Sequence, residues 1–449
     1  MTVIELGDVG APAPGPDGRE TGPEFHPRSW RRPASLAVVL LCLLTFTASG
    51  RPGTPMVHEV WSIRPSGEFT PTVRADGVFV HQRTRDETEL VAYEPATGAV
   101  RWRRAFDGSP AYVGNGEEAG LLLIPADEKV ANVRLDDGSP GVVTYGGTTT
   151  AVDARTGDLL WRGPGELLDA RADTLLLGER ARNGDLVSIR LLRSRTGTVV
   201  WRRAVDGVEQ LVVPPWDPAP SRLVTADGTG HVTVLDYSDG AVLAERPLPW
   251  TRSRPSRGVD TYLGAANGLL VVTRNQPERS AVAAYRLDSL DELWQTGARA
   301  YPYVQDCGPL LCIAQAAGLV AVEPLTGRQV WRLPGYSGAT LVAEDRLLAS
   351  GPGPEPAEQA LLEPATGRRI GTGGAGWPTA SPFGAESLVL MHRVFEGERV
   401  YSTVSHLDVR TGRLVRIGAI DGVDVPQCSS AGRYMACDQS GRLVITAFG

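Results

Sequence analysis

The chain has 449 residues, of which 42% are hydrophobic and 22% are charged, a composition that is typical of proteins with a buried core. This balance excludes extended disorder over most of the length, and a net charge of −7 argues against a nucleic-acid-binding domain. The 52 glycines and 34 prolines favour turns over long helices.

The N-terminal segment predicts a membrane anchor. Residues 1–33 carry Pro, Gly and charge without apolar periodicity, and we expect a disordered cytoplasmic tail. A charge-free apolar stretch follows over residues 34–50, and we expect it to be a transmembrane signal anchor. A cleaved signal peptide is the alternative, because sixteen residues of helix span only about 24 Å. Three cations, Arg28, Arg31 and Arg32, precede the stretch. They place residues 51–449 outside the cytoplasm of a single-pass cell-membrane protein.

One pattern recurs along the rest of the chain: an acid or polar residue, two further residues, Thr-Gly, a short apolar stretch and Trp. Four copies are complete, two keep only the turn, and two are degenerate. In that order they are Tyr93–Trp102, Val152–Trp161, Leu192–Trp201, Val322–Trp331, Leu362–Gly367, Leu407–Gly412, Leu235–Gly240 and Tyr285–Asp291, the last followed by Trp294.

The turn in each copy predicts a β-hairpin. Pro95 and Pro324 supply the φ near −65° of a type I turn, and Gly98 and Gly327 supply the left-handed residue of a bulged hairpin. Alternating apolar runs between the copies predict further strands, so that each repeat holds four. A four-stranded unit that recurs about every 40 residues is typical of a propeller blade.

This repeat resembles the tryptophan-docking repeat of the pyrroloquinoline-quinone (PQQ)-like propeller family, in particular its non-enzymatic BamB-like branch. The resemblance covers residues 57–449 and implies an all-β propeller, most often of eight blades. We therefore expect eight blades in residues 51–449, with the ring closed by pairing of the N- and C-terminal strands, since closure removes exposed strand edges. Nine blades are the alternative, because the sequence holds eight hairpins and one composite blade made from the two chain ends. The resemblance also implies that a series of tryptophans packs between neighbouring blades: Trp61, Trp102, Trp161, Trp201, Trp294 and Trp331.

Two pairs of cysteines predict disulfides. Cys307 and Cys312, like Cys428 and Cys437, flank turns between short strands, so that each pair can face across a hairpin. Turns centred on 309/310 and 432/433 would place each pair at directly opposed positions. The zinc or redox alternative lacks a CxxC motif and a nearby His cluster. Two disulfides agree with an oxidising compartment.

No catalytic motif stands out. The six histidines show no metal-ligand spacing, and the acids that recur before Thr-Gly are turn-initiating residues. We therefore expect no cofactor and no metal. Two segments, residues 125–147 and 247–258, exceed what a blade needs and are expected to be loops. The second is a candidate partner loop, with four side chains that could contact a partner: Trp250, Arg252, Arg254 and Arg257.

Two classes of function fit these observations. The first is a membrane-tethered extracytoplasmic propeller that binds a protein or small-molecule partner without catalysis, which the BamB-like resemblance implies. The second is a PQQ-dependent quinoprotein dehydrogenase. Such enzymes carry an adjacent Cys-Cys pair and a calcium site, and the sequence has no such pair. A sugar-binding or sensor ectodomain is a further alternative. We favour the scaffold.

Overall fold

The structure is a computed structural model of the chain. It describes residues 57–83, 88–106, 114–116, 119–134, 138–214, 221–253, 258–277, 279–298, 301–351, 358–379, 386–397, 399–422 and 428–448. The chain separates into two units, residues 1–54 and 55–449, and the description concerns the second. The predicted tail and apolar anchor lie outside the described residues. Within the described part no helix has the length and apolarity needed to cross a membrane.

The described regular structure consists of β-strands. In chain order they are β1 (Val57–Ile63), β2 (Glu68–Arg74), β3 (Gly77–Arg83), β4 (Thr88–Tyr93), β5 (Val100–Phe106), β6 (Gly114–Gly116), β7 (Leu121–Arg134), β8 (Pro140–Asp153), β9 (Leu159–Pro164), β10 (Glu166–Ala170), β11 (Thr174–Arg180), β12 (Leu186–Arg193), β13 (Val199–Val212), β14 (Arg222–Asp227), β15 (His231–Asp236), β16 (Val242–Pro247), β17 (Asp260–Ala266), β18 (Leu269–Asn275), β19 (Ser280–Arg286), β20 (Glu292–Ala298), β21 (Tyr303–Cys307), β22 (Leu310–Gln315), β23 (Gly318–Val322), β24 (Gln329–Leu333), β25 (Gly338–Ala343), β26 (Arg346–Ser350), β27 (Glu358–Leu362), β28 (Arg369–Ala375), β29 (Trp377–Pro378), β30 (Ser387–Glu396), β31 (Arg399–Asp408), β32 (Leu414–Asp421), β33 (Cys428–Ala431), β34 (Tyr434–Gln439) and β35 (Arg442–Phe448).

These strands form eight antiparallel sheets, seven with four strands and one with seven. In the seven-stranded sheet, β13 is 14 residues long and pairs with β12 through its first part and with β14 through its second. It therefore closes one four-stranded unit and opens the next. The described strands thus make nine four-stranded units, because seven sheets contribute one unit each and the eighth contributes two. The expected count of eight blades is not confirmed.

We number the units as blades in chain order. Blades 1 to 9 are β2–β5, β6–β9, β10–β13, β13–β16, β17–β20, β21–β24, β25–β28, β29–β32, and β33–β35 with β1. The ends of the described chain meet in blade 9, where β1 pairs antiparallel with β35, as expected from the sequence. One blade therefore draws strands from both ends of the described chain, and this pairing closes the ring.

The hydrophobic core lies between blades rather than within a single centre. Nine buried clusters occur among the described residues, and each joins two consecutive blades, including blade 9 with blade 1. The middle strands are covered on both faces, so β18 is buried almost throughout, whereas the outer strand β20 alternates between exposed and half-buried positions. This repeated burial of both faces explains the short continuous apolar runs in the sequence.

The expected loop over residues 125–147 is instead largely a β-ribbon. Strands β7 and β8 are each 14 residues long and stay paired from Leu121 and Asp153 out to Arg134 and Pro140. β8 is rich in Thr and Val and contains Tyr145, and these residue types favour an extended strand. That composition was the sequence signal for a ribbon.

Candidate functional site

The six repeat tryptophans each reach from one blade to the next. The indole Nε1–H donates to a backbone carbonyl in the hairpin turn of the following blade, and all six hydrogen bonds have similar lengths. They run from Trp61 to Pro95 (2.8 Å), Trp102 to Ala154 (3.1 Å), Trp161 to Ser194 (2.8 Å), Trp201 to Tyr237 (2.9 Å), Trp294 to Pro324 (2.7 Å) and Trp331 to Pro364 (2.8 Å). These hydrogen bonds connect consecutive blades and use the N–H group of each of the six indoles.

The glycine of each turn leaves room for the indole ring of the preceding blade. Gly327 has φ +67°, and a Cβ atom on it would lie 2.6 Å from Cδ2 of Trp294. The same relation links Gly98 with Trp61 and Gly240 with Trp201. Glycine is therefore required here twice, by the left-handed backbone and by the ring packed against it.

The junction between blades 4 and 5 has neither the tryptophan nor the turn glycine of the other copies. Ala244 stands four residues after Gly240, where other copies have Trp, and it packs against the cluster that contains Leu290. Leu290 occupies the turn position of the usual glycine with φ 58° and is fully buried. A large residue in the turn thus fills the volume that a small one leaves on the neighbouring blade.

The acids before Thr-Gly hold their own turns together. Asp236 Oδ1 accepts hydrogen bonds from the Ser238 hydroxyl (2.7 Å) and backbone N–H (2.8 Å), and these bonds lower the pKa of the Asp236 carboxyl. Asp408 Oδ1 accepts the Thr411 N–H at 2.7 Å, which lowers its pKa likewise. Among the described residues, no three His, Cys, Asp or Glu side chains are grouped so that they could hold a metal ion.

The structure contains both predicted disulfides, Cys307–Cys312 and Cys428–Cys437. Cys428 and Cys437 are directly opposed, as expected for a turn centred on 432/433. In the other hairpin Cys307 opposes Leu310, so the pair is diagonal and the expected centre at 309/310 is wrong. Gly308, at φ +70°, followed by Pro309, makes a turn of two residues there.

The candidate partner loop is only partly described. Trp250 is half-buried against the core between blades 4 and 5 and serves packing, whereas Arg252 is exposed. Arg254 and Arg257 lie outside the described residues. Thr261 Oγ1 bonds to both main-chain groups of Thr251, accepting from its N–H at 3.1 Å and donating to its oxygen at 2.9 Å. The loop is therefore tied to β17.

A cavity of about 490 Å³ lies beside that attachment, between β17, β18 and β21. The first strands β13, β17, β21 and β25 contact one another in succession, so they are the inner strands that face the central channel. Three tyrosines line the cavity and expose more than half of their surface: Tyr262 (55%), Tyr301 (52%) and Tyr303 (66%). Exposed tyrosines of this kind are enriched at binding surfaces.

Two polar groups of this cavity are buried acceptors without a donor among the described residues. Asp260 and Asn275 are direct cross-strand partners on β17 and β18, and Asn275 is only 4% exposed. The Oδ1 atoms of both are buried, and neither accepts a hydrogen bond from any described residue. Tyr262 bonds to the Asp260 carboxylate, and burial together with this carboxylate raises the pKa of the Tyr262 hydroxyl. Tyr301 donates its hydroxyl to the Gly258 oxygen at 3.2 Å.

The cavity continues along the inner strands. A second cavity of about 500 Å³ shares Leu263, Gly264 and Val304 with the first and extends to β25. Asp306 lines its wall, and burial raises the pKa of this carboxyl although the Gly308 N–H donates to it at 2.8 Å. We call the two cavities together the inner-strand groove.

The sequence analysis did not identify the groove residues as a site. Asp260 and Tyr262 are two residues apart on β17 and so share one face of that strand, and Tyr301 and Tyr303 flank Pro302 at the start of β21. This spacing was the available signal. It does not show that β17 and β21 are neighbours.

The fold and the repeat contacts define a closed β-propeller built from tryptophan-docking repeats. The chain belongs to the family described as outer membrane protein assembly factor BamB, whose model matches residues 57–207, 128–333 and 187–418. The predicted PQQ-like, BamB-like resemblance is thereby confirmed. No curated protein matches the chain in sequence.

Solved structures resemble the chain at low sequence identity. BamB from Moraxella catarrhalis is 14% identical, covers 87% of this chain and 100% of its own, and gives a TM-score of 0.40. A eukaryotic initiation factor is 12% identical, covers 80% of this chain and 88% of its own, and gives a TM-score of 0.53. The similarity to the initiation factor supports the fold alone.

Proposed function

We propose that this protein is a non-catalytic protein-interaction scaffold whose partner docks on the inner-strand groove. The observation that carries the proposal is that Tyr262 on β17, Tyr303 on β21 and Tyr301 just before β21 expose more than half of their surface beside one cavity. Tyrosine supplies a large, rigid contact area with a polar tip, and it is enriched among residues that dominate interface energies. Membership in the BamB-like family supports a protein partner at a coarse level.

We further propose that the propeller is extracytoplasmic and tethered to the cell membrane through residues 34–50. The charge-free stretch and the arginines before it support this orientation. The two disulfides support it independently, because such bonds persist in oxidising compartments. The net charge of −7 disfavours nucleic acid as the partner.

A photo-crosslinking residue tests the docking surface. Placed at Tyr303 of the full-length chain in cells, it should give a discrete protein adduct that weakens by at least fivefold when Tyr262→Ala is added. The matched control is Leu325, which is 57% exposed in the turn before β24. An adduct of equal yield from Leu325, or one unaffected by Tyr262→Ala, would contradict docking on the groove.

Protease applied to intact cells tests the location. We expect the propeller to be digested while a cytoplasmic control protein survives. N-terminal sequencing of the membrane-bound chain then distinguishes an anchor, which keeps residues 34–50, from a cleaved signal peptide, which starts near Arg51. A propeller protected in intact cells would overturn the orientation.

A further inference from the structure

We infer that the cavity between β17 and β21 binds a cationic group, the guanidinium or ammonium of a ligand, which rests on the proposed docking function and names its chemistry. Three tyrosines line the cavity together with Asp260 and Asn275, whose Oδ1 atoms are buried. An aromatic wall attracts cations through the negative face of each ring. A carboxylate beside it adds a formal charge of opposite sign.

The two unpartnered oxygens restrict the chemical class of the ligand further. Asp260 Oδ1 and Asn275 Oδ1 both require donors, and Asn275 is buried while lining the cavity. A buried acceptor without a donor is costly, so a ligand that supplies N–H groups here gains more than an ordinary surface contact. Guanidinium and ammonium groups donate only, which matches a site whose vacant positions are acceptors.

Two of the three tyrosine hydroxyls disfavour a neutral sugar as the ligand. Those of Tyr262 and Tyr301 are already directed at Asp260 and at the Gly258 oxygen, so they do not supply free donors to a ligand. A neutral sugar needs donors as well as acceptors for its hydroxyls. Among the described residues that line this cavity, Asp260 carries the charge. The cation therefore fits the described lining better than the sugar does.

Calorimetric titration of the full-length chain in a non-ionic polyoxyethylene detergent tests the inference. The probes are Nα-acetyl-arginine amide and Nα-acetyl-citrulline amide, which have nearly the same shape but differ in charge. We expect the arginine compound to bind at least tenfold more tightly. Equal affinities, or tighter binding of a neutral sugar such as glucose, would overturn the inference.

Variants locate the binding. Asp260→Asn should weaken the arginine compound at least tenfold, and Tyr303→Ala at least fivefold, whereas Tyr303→Phe keeps the ring and should stay within twofold. Leu325→Ala is the matched surface control and should change nothing. Because the Tyr303 side chain is mostly exposed, Tyr303→Ala keeps the test valid even if Asp260→Asn unfolds. Unchanged affinity in Tyr303→Ala would overturn the assignment.

The source of the cation is decided by two further probes, agmatine and the peptide Gly-Gly-Arg-Gly-Gly. Tighter binding of the peptide supports the side chain of a partner protein. Tighter binding of agmatine upholds the cation site and contradicts protein docking there. A Tyr303 adduct that persists in cells, without affinity of the purified chain for any cationic probe, would support the docking function. It would overturn the inference that the cavity binds a cation.

Discussion

A Cβ atom on Gly367 would lie 2.7 Å from Cδ2 of Trp331, and the Trp331 indole donates to the Pro364 oxygen at 2.8 Å in the same turn. The turn of blade 7 and the outer strand of blade 6 therefore fit only while residue 367 is glycine. The same pair of residue types joins five other blade junctions of the described chain. This relationship makes the stability of the ring testable one junction at a time.

Trp331→Ala should destabilise the fold by about 3–5 kcal/mol, because it removes a buried aromatic ring and leaves a cavity. Gly367→Ala should be destabilising as well, because alanine is strained at φ +68° and meets the indole. In the double variant the clash is gone, so the effects should fall short of additivity by about 1–2 kcal/mol. Urea unfolding of all four proteins measures the coupling, and strict additivity would contradict the contact.

The junction at Leu290 should be convertible to the common type. Ala244→Trp alone should cost about 1–3 kcal/mol, since the new ring is forced against Leu290. Adding Leu290→Gly removes that side chain and places glycine at φ 58°. We expect the double variant to recover at least half of the loss in free energy of unfolding. A double variant less stable than Ala244→Trp would show that the two positions do not share this volume.

Reduction of the disulfides should require unfolding. The four disulfide cysteines are buried, so a reductant added together with an alkylating reagent should leave them unlabelled in the native chain and label them in urea. Non-reducing peptide mapping should recover two links. Replacing Cys428 and Cys437 by Ser should cost about 2–3 kcal/mol in the chain-entropy model. The matched control is the same replacement of Cys307 and Cys312. Peptides that link the two hairpins to each other would contradict the pairing.

The stability should depend on pH through Asp306. Burial raises its pKa above the ordinary 3.8, so ionisation is less favourable in the fold than in the unfolded chain. The resulting loss of stability develops as pH rises from about 3.8 towards the raised folded value, and it is complete above that value. Asp306→Asn should raise the melting temperature by about 1–3 °C at pH 7 and by less at pH 3.5.

Asp236→Asn is the opposing control for this pH dependence. Its folded pKa is lowered, so its carboxylate contributes stability above about 3.8 that is lost as pH falls through the depressed value. The substitution should therefore lower the melting temperature at pH 7 and have little effect at pH 3. Shifts of the same sign in both variants would contradict the assignment of Asp306 as a desolvated carboxyl.

We expect no PQQ-dependent dehydrogenase activity from the purified chain. Such catalysis needs a cofactor, a calcium ion with converging oxygen ligands and a base. The repeated acids instead accept turn hydrogen bonds, as Asp236 and Asp408 do. Reconstitution with PQQ and calcium, followed by dye reduction with a panel of alcohols and aldoses, measures this. Turnover above about 1 s⁻¹ would overturn the non-catalytic proposal.

The candidate site was less predictable from the sequence than the fold. The candidate partner loop over residues 247–258, with Trp250, Arg252, Arg254 and Arg257, stays a prediction, and Trp250 packs against the core between blades 4 and 5. The Thr251–Thr261 hydrogen bonds tie this loop to β17. Tyr262 and Tyr303 were ordinary strand residues in the sequence, because a period-two pattern identifies a face and not the strand that lies opposite.

The sequence by itself determined the hairpins, the four-stranded repeat and the residues that make the two disulfides. These depend on turn chemistry and alternation within about ten residues, as in Glu323–Trp331. Only the tertiary structure decided that β13 serves two blades and that β17 and β21 enclose a cavity. The first depends on how far one long strand stays paired on each side, and the second on contact between strands of different blades. Many registers satisfy the same local pattern, and the packing of both faces of every blade selects one of them.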